Sequence, residues 1–193
     1  MKKPDGYDEA KTSSYKPKKL PAGAYEVEIV NAAVRDEYGT EKLILQIDIA
    51  TGEYKGYFKK NFDNQAKYPK AGQRLKWKGI FKQATSGKSL NYFKSLIKII
   101  EDSNNFKFDF NEKTLKGKRL GMVFKNRVFT NDKGEEITYI AADTPLTLDD
   151  LYAGNFDAPR SSNSNQPPKD SNKSSGAGDD MVEDSIDDDD LPF

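Results

Sequence analysis

The feature that most constrains the fold is an alternation of apolar and mostly polar residues near the start of the chain. Apolar side chains occupy every second position from Tyr25 to Ile29 and again from Leu43 to Ile49, with a turn that contains Gly39 between the two runs. A period of two places the apolar side chains on one face of a β-strand, and two such runs around a short glycine-containing turn are typical of a β-hairpin. A hairpin with one apolar face needs further elements to cover it, so the chain is predicted to build a sheet.

The rest of the first 150 residues predicts three more strands and one helix. A third strand is predicted at about Tyr57 to Phe62, after two glycines. Helical spacing then follows in Phe93, Leu96, Ile97 and Ile100, with Ser89 as the candidate cap and Asn104 and Asn105 as the stop. Period two returns from Leu120 to Phe124, and again from Ile137 to Ala141 after a turn at residues 131–134.

The order of these elements is three strands, a helix and two strands, which is the order found in the OB-fold. The sequence therefore predicts a mainly β fold: an OB-fold-like five-stranded barrel with one helix between strands 3 and 4, plus a disordered C-terminal tail. Another small α+β roll with the same elements is the alternative. The tail is predicted because residues 155–178 are dominated by Ser, Asn, Pro, Gly and Gln and have little apolar surface to bury.

Composition divides the chain into four predicted parts. Residues 1–19 are polar and form a flexible N-terminal arm. Residues 20–152 form the OB-fold domain, residues 153–182 a disordered linker, and residues 183–193 an acidic protein-docking tip. A chain of 193 residues has room for one domain of ordinary size with tails.

The charges of the chain are segregated although they cancel overall. Residues 1–150 carry a net charge of +7 and residues 151–193 carry −7. The stretch 55–127 alone holds 19 Lys and Arg against five Asp and Glu, a net +14. A basic body of this kind attracts polyanions, of which nucleic acid is the commonest.

The lack of cysteine and histidine narrows the available chemistry. It removes disulfides, thiolate nucleophiles, thiolate or imidazole metal ligands and imidazole acid–base catalysis. No apolar run has the length of a membrane span, and the N-terminus lacks the apolar core of a signal peptide, so a soluble, cytoplasmic protein is predicted. The chain is interpreted as a non-enzyme, with no catalytic residue, metal or cofactor.

Aromatic residues and cations are interleaved in the basic body. Single-stranded nucleic acid binds through cations that follow the phosphates and aromatic faces on which bases stack. The candidate DNA-binding residues are Tyr57, Lys59, Lys60, Phe62, Arg74, Lys76, Trp77, Lys78, Arg119, Lys125 and Arg127. Trp77 fits a stacking role and a packing role equally well, and Lys59 and Lys60 also fit a solvated strand edge. The aromatics interpreted as core residues are Phe93, Phe106, Phe108, Phe110 and Phe124.

Two patterns of catalytic type are too incomplete to support a prediction of catalysis. Residues 84–89 end like a phosphate-binding loop, but Lys82 stands where the first glycine of that loop belongs. Glu53 and Lys55, with Asp36 or Asp48 upstream, have some similarity to a metal-dependent nuclease core, but the spacing from Asp48 is too short. A loop that enters the predicted helix is the preferred interpretation of the first pattern.

The last seven residues combine an acidic run with an apolar end. They are Asp187, Asp188, Asp189, Asp190, Leu191, Pro192 and Phe193. Such an ending fits a partner surface with a pocket for the terminal ring and basic side chains for the carboxylates. It resembles the C-terminal tip of bacterial single-stranded DNA-binding proteins, and this resemblance implies that the tip recruits replication, repair and recombination enzymes.

A looser resemblance extends to the body of the chain. The segments 20–30, 52–57 and 115–121 are similar to those of bacteriophage-encoded binding proteins from low-GC Gram-positive hosts. The two resemblances imply a protein that coats single-stranded DNA during phage replication and recombination in the host cytoplasm, with host enzymes as partners; whether it forms a homo-oligomer stays open. The alternatives are an adaptor or decoy that engages host repair enzymes without binding DNA, and an RNA-binding OB protein.

Overall fold

The computed structural model of the chain describes residues 19–69, 74–131 and 134–157. The predicted N-terminal arm, apart from Lys19, and the predicted tip lie outside the described residues, and so does the predicted linker beyond Asp157. None of the helices in the described ranges is long and apolar enough to cross a membrane.

The described residues form one five-stranded antiparallel sheet. Its strands are β1 (Gly23–Glu37), β2 (Thr40–Ile49), β3 (Ile80–Ala84), β4 (Arg119–Thr130) and β5 (Glu136–Leu146). They lie in the order β3-β2-β1-β4-β5, so the long strand β1 pairs with β2 on one side and with β4 on the other. The predicted mainly β fold with a helix between strands 3 and 4 is confirmed.

The two edges of the sheet approach each other without pairing. Residues of β3 and β5 come into contact, but no hydrogen-bonded ladder joins the two strands. The sheet therefore curves so that its two edge strands come close together, but hydrogen bonds do not close it into a barrel.

The predicted hairpin at the start of the domain is present. Strands β1 and β2 pair through Glu37 and Thr40, and Tyr38 and Gly39 form the turn between them with φ angles of 54° and 74°. Positive φ at both central residues is the geometry whose twist matches that of a hairpin.

The predicted third strand at Tyr57–Phe62 is wrong, because these residues form the first turns of helix α1 (Tyr57–Lys67). Asp48, at the end of β2, accepts hydrogen bonds from the backbone N–H groups of Phe58 and Lys59 at 2.8 and 3.2 Å. A carboxylate at this position satisfies amides that have no partner inside the helix. The third strand is instead Ile80–Ala84, after a long connection from β2.

Helix α2 (Leu90–Asn104) confirms the predicted helix between the third and fourth strands. Leu96 and Ile100 are buried against the sheet, and the helix ends at Asn105 in the left-handed conformation. A third, short helix, α3 (Leu148–Ala153), follows β5 and begins with Thr147, whose hydroxyl accepts a hydrogen bond from the amide of Asp150.

The two predicted C-terminal strands form a hairpin that extends beyond the rest of the sheet. Strand β1 pairs with β4 only from Arg119 to Phe124, so the remaining residues of β4 pair with β5 alone. Asn131 and Gly134, at the ends of the predicted turn, are joined by a hydrogen bond of 2.9 Å. Six consecutive exposed residues, 125–130, mark this projecting part of the hairpin.

The core lies between the inner face of the sheet and helices α1 and α2. Its largest fully buried side chains include Phe58 of α1 and Phe124 of β4, whose rings stack with their centroids 5.9 Å apart. Gly79 lies directly against the Phe58 ring and the Ile47 carbonyl, which leaves no room for a Cβ atom. Helix α1 is thus fixed to the sheet by one aromatic anchor and one carboxylate.

Candidate nucleic-acid interface

The structure distributes the predicted DNA-binding residues other than Tyr57 over three places. The first, called the helix surface, comprises α1 and the segment before β3 and contains Lys59, Lys60, Phe62, Arg74, Lys76, Trp77 and Lys78. The second, called the hairpin surface, is the outer face of the projecting β4–β5 hairpin and contains Lys125 and Arg127. Arg119 lies at the start of β4, six residues before Lys125 and thus about 20 Å away along an extended strand.

The two aromatic residues of the helix surface pack on each other. The centroids of the Phe62 and Trp77 rings are 5.7 Å apart, and the Trp77 indole N–H donates a hydrogen bond of 3.2 Å to the carbonyl oxygen of Ile47. Trp77 also packs against the hydrophobic core and is half-buried. A packing role for Trp77 is therefore present, and its stacking role stays a prediction.

A side-chain amide holds the segment before β3 against α1. Gln65 donates from its side-chain nitrogen to the carbonyl oxygen of Lys76 at 2.9 Å and accepts from the Lys76 amide at 3.1 Å. The Gln65 side-chain amide thus donates to and accepts from one backbone residue, as a paired strand residue does. Lys76 and Trp77 are therefore held beside helix α1, although they belong to no helix or strand.

Two lysines of helix α1, Lys59 and Lys60, are exposed and make weak bonds. Lys59 forms an exposed ion pair with Asp63 at 3.0 Å, and the Lys60 ammonium group donates to the carbonyl oxygen of Lys55 at 2.8 Å. Exposed pairs of this kind contribute about 0–1 kcal/mol. A phosphate could therefore displace Asp63 from Lys59 at little cost.

Tyr57 belongs to an aromatic cluster rather than to an open surface. Its ring contacts Tyr54 and Phe58, with centroid separations of 6.4 and 5.2 Å, and Tyr54 in turn contacts Tyr25 of β1. All three tyrosines are half-buried. They fill the space between the start of β1 and the start of α1.

The hairpin surface combines cations with exposed aromatic and apolar side chains. In the β4–β5 register, Arg127 lies opposite Tyr139 and Phe129 lies opposite Ile137. Residues of equal parity share one face of a strand, so Lys125, Arg127 and Phe129 face the same way. Phe129 is 50% exposed and Ile137 is 43% exposed.

Phe129 and Tyr139 are absent from the residues predicted from sequence. The signal for Phe129 is present in the sequence, because the period of two that joins Lys125 to Arg127 continues to residue 129. The position of Tyr139 depends on the register of the hairpin, which the turn at 131–134 could have supplied.

A single carboxylate holds the two cations of the hairpin surface. Asp143 forms ion pairs with Lys125 and with Arg127, the latter at 3.2 Å. It lies at a bulge, since the register of β5 passes from Thr144 to Ala142 between consecutive residues of β4. Burial alone would raise the pKa of Asp143, but hydrogen bonds from Lys125 and Thr144 outweigh it and hold the pKa below its usual value.

Arg119 is held by two carboxylates of β1. It lies 3.1 Å from Glu26 and 3.5 Å from Glu28, and the Tyr152 hydroxyl of α3 donates a hydrogen bond of 2.7 Å to Glu26. Burial would raise the pKa of Glu26, but the bonds from Tyr152 and Arg119 lower it below 4.5. Sequence reasoning missed this cluster because its members are far apart in the chain. DNA binding by Arg119 stays a prediction.

The two catalytic patterns have structural partners of their own. Both oxygens of Asp48 accept backbone N–H bonds at the start of α1, and Lys82 forms an ion pair with Glu37 at 2.7 Å. Residues 85 and 86 and a 3₁₀ turn at Gly87–Ser89 lead into α2, where a loop entering the helix is predicted. In the part of the chain that the structure describes, no three Asp, Glu, His or Cys side chains come together as a metal site would require.

Comparison with protein-family models gives no match to this chain, and comparison with curated proteins gives no significant match.

Proposed function

We propose that this protein binds and coats single-stranded DNA. The observation that carries the proposal is the hairpin surface, where Arg127 lies opposite Tyr139 and Phe129 opposite Ile137 on one exposed face. Cations beside aromatic faces are the combination that binds phosphates and stacked bases without reading sequence. The net +14 of residues 55–127 supports the same polyanionic partner.

The spacing of the hairpin surface favours a single strand over a duplex. Side chains on one face of an antiparallel strand repeat at about 6.8 Å, which is twice the rise of about 3.4 Å per stacked nucleotide. A strand with unstacked, extended nucleotides can place one base at each step of this repeat. A duplex keeps its bases stacked and paired, so its bases cannot reach Phe129 or Tyr139.

We further propose that the sheet is an OB-fold barrel. The strand order β3-β2-β1-β4-β5, the helix between β3 and β4 and the contact between the two edge strands support this interpretation. OB-folds bind oligonucleotides on one sheet face and on their hairpin loops. Fold alone does not establish the ligand, so the proposal rests on the side chains.

The tip supplies the second half of the proposed function. Residues 187–193 lie outside the described residues, so the support for them is the sequence resemblance alone. We propose that they recruit host replication, repair and recombination enzymes to DNA coated by a phage-encoded protein in the host cytoplasm. The body needs no catalytic activity for this function.

The test of DNA binding is a titration of the full chain with fluorescent oligo-dT, a duplex of equal length and oligo-U, each at several salt concentrations. We expect tight binding to oligo-dT that weakens steeply with salt, and much weaker binding to the duplex. Equal affinity for duplex would contradict the proposal. A preference for oligo-U would favour an RNA-binding protein instead.

The test of the tip is a pull-down from host extract with the full chain and with a chain that lacks Phe193. Repair and replication enzymes are expected to bind the full chain and to be lost with Phe193. The adaptor alternative is supported if this dependence is seen while no oligonucleotide binds.

A further inference from the structure

Phe110 is an exposed aromatic residue on a backbone conformation that disfavours it. It was interpreted from sequence as a core residue, and that interpretation is wrong, because the residue is 80% exposed. Its φ angle is +62°, in the left-handed region. Left-handed backbone is unfavourable for residues with a Cβ atom, and leaving a phenylalanine ring in water forgoes the free energy of burying it. Glycine at this position would avoid both costs.

The loop that carries Phe110 is held in place on both sides of it. The Asp109 carboxylate accepts a hydrogen bond of 3.1 Å from the Asn111 amide, and the Asn111 side chain accepts one of 3.2 Å from the Lys113 amide. The Phe110 ring contacts Phe108, whose own ring is buried in the core, with 5.3 Å between centroids. One side of the Phe110 ring thus packs against the Phe108 ring, and the rest is exposed to solvent.

The surroundings of Phe110 are positively charged. Residues 105–118 contain four lysines and two carboxylates, a net +2. Lys107 pairs with Glu101 at 3.0 Å, and Lys118 lies over the Phe106 ring at 4.2 Å. By contrast, Lys113 and Lys116 are exposed and form no ion pair with any residue in the described ranges.

We infer that Phe110 is a stacking platform for a base of single-stranded DNA, with Lys113 and Lys116 binding the phosphates beside it. This inference rests on the proposed function and adds to it a contact point in the α2–β4 connection, apart from the helix surface and the hairpin surface. A base needs one open aromatic face with cations close by; the Phe110 ring is open, and Lys113 and Lys116 follow it by three and six residues in the chain. The unpaired lysines favour a polyanion over an apolar protein segment as the occupant.

Tyr38 provides the matched control for this site. It is 79% exposed and has a φ angle of +54°, so it shares the exposure and the backbone of Phe110. Residues 35–42 around it contain three carboxylates and two cations, a net −1, and the Asp36 carboxylate accepts a hydrogen bond from the Gly39 amide in the same turn. This net charge is opposite in sign to that of residues 105–118, so Tyr38 shares the exposure and the backbone of Phe110 but not the sign of its surrounding charge.

The experiment compares the affinity of the full chain and its variants for oligo-dT at one fixed salt concentration. Phe110→Ala and Phe110→Leu are each expected to weaken binding by roughly 5- to 150-fold, because both lack the aromatic face. Phe110→Tyr is expected to bind like the unmodified chain, and so is Tyr38→Ala. Phe110→Gly is expected to unfold at an equal or higher temperature and still to bind weakly, which a purely structural role of Phe110 would not produce.

The outcomes separate this inference from the proposed function. If the unmodified chain binds oligo-dT tightly and Phe110→Ala binds equally well, the inference is overturned and the proposed function stands. Full affinity of Phe110→Leu also overturns it, because an apolar contact would then suffice. If the unmodified chain does not bind single strands, the proposed function fails, and the stacking site fails with it.

Discussion

The helix surface and the hairpin surface contain the same kinds of residue and use them in opposite ways. In the helix surface the aromatic rings of Phe62 and Trp77 pack on each other and Trp77 also packs on the core, while Lys59 and Lys60 make only weak, exposed bonds. In the hairpin surface the Phe129 ring is half-exposed, while both cations are held by the half-buried carboxylate of Asp143. On the helix surface Lys59 and Lys60 are held only loosely, and on the hairpin surface the Phe129 ring is the group more open to solvent.

This difference follows from the two kinds of backbone. A helix lying on a sheet has one face towards the core, so the aromatic residues of α1 turn inward and its lysines turn outward. A projecting hairpin has water on both faces, and its aromatic residues have nothing to pack against beyond their cross-strand neighbours. The interleaving of cations and aromatics in the sequence therefore does not tell which of them a ligand can reach.

The largest expected effect concerns the packing on which the helix surface is built. In Gly79→Ala the new Cβ atom would overlap the Ile47 carbonyl oxygen and lie 2.7 Å from the Phe58 ring. Because the overlap involves backbone, we expect the free energy of unfolding to fall by about 3 kcal/mol or more, measured by urea denaturation. Gly23→Ala, which meets only the edge of Tyr25 at 3.4 Å, is the control and should change stability by less than about 1 kcal/mol. Equal stability of the two variants would show that α1 is not anchored through Phe58.

The second prediction tests whether the Phe129 ring contributes to DNA binding without contributing to the stability of the fold. Phe129→Ala should weaken oligo-dT binding by about 1–3 kcal/mol, roughly 5- to 150-fold, while the free energy of unfolding changes by less than about 0.5 kcal/mol. Val128→Ala removes an exposed apolar side chain from the opposite face of the same strand and should leave binding unchanged. If Val128→Ala weakens binding as much as Phe129→Ala does, the outer face is not the interface.

The third prediction concerns Arg119, which belongs to neither surface. The folded-state pKa of Glu26 lies below 4.5, so the unfolded chain binds more protons than the folded one between that pKa and 4.5. The stabilisation is complete above this window and is lost as the pH falls through it. Glu26→Gln should lower the free energy of unfolding at pH 7 by about 1–2 kcal/mol and reduce the loss of stability as the pH falls below 4.5.

Urea denaturation at a series of pH values measures both effects of this substitution. Glu28→Gln, which removes the more exposed partner of Arg119, is the control and should keep the acid-dependent loss. An unaltered pH dependence in Glu26→Gln would show that the cluster does not contribute to acid stability.

The smallest effect is expected from releasing the cations of the hairpin surface. Asp143→Asn removes the carboxylate that holds Lys125 and Arg127. Affinity for oligo-dT should rise by about 0.5–1 kcal/mol, roughly 2- to 5-fold, and the gain should shrink at high salt. Asp63→Asn on the helix surface should give a smaller gain, since its pair with Lys59 is more exposed. A larger gain in affinity for Asp63→Asn than for Asp143→Asn would show that the cations of the helix surface are held more tightly than those of the hairpin surface.

Local patterns in the sequence predicted the elements that depend on local forces. The hairpin at Tyr38, helix α2 and strands β4 and β5 follow from periodicity and turn residues. Helix α1 was missed because it depends on the Asp48 carboxylate at its start, and a short segment of three aromatic and three polar residues fits a strand equally well. Phe62 follows Phe58 at four residues, which is a helical spacing, but two positions are too few to decide.

Much of the candidate site could not be predicted, because it depends on contacts between distant residues. The partners of Arg119 come from β1 and α3, and Asp143 reaches Lys125 and Arg127 through a bulge that no local pattern indicates. The exposure of Phe110 depends on the hydrogen bonds that hold the loop after α2, whereas phenylalanine as a residue type is more often buried. The sequence shows which kinds of side chain the candidate site contains. The tertiary contacts determine which of these side chains are exposed to a ligand.

The hydrogen bond between Tyr152 and Glu26 has a consequence for the synthesis of the chain. It joins residues 126 positions apart, nearly the whole length of the described domain. At about 5–20 residues per second, a ribosome needs roughly 6–25 seconds between making the first of these residues and the second. During that interval the Glu26 carboxylate of β1 is present but the Tyr152 hydroxyl that donates to it is not. The domain therefore reaches its final state only after α3 has been made.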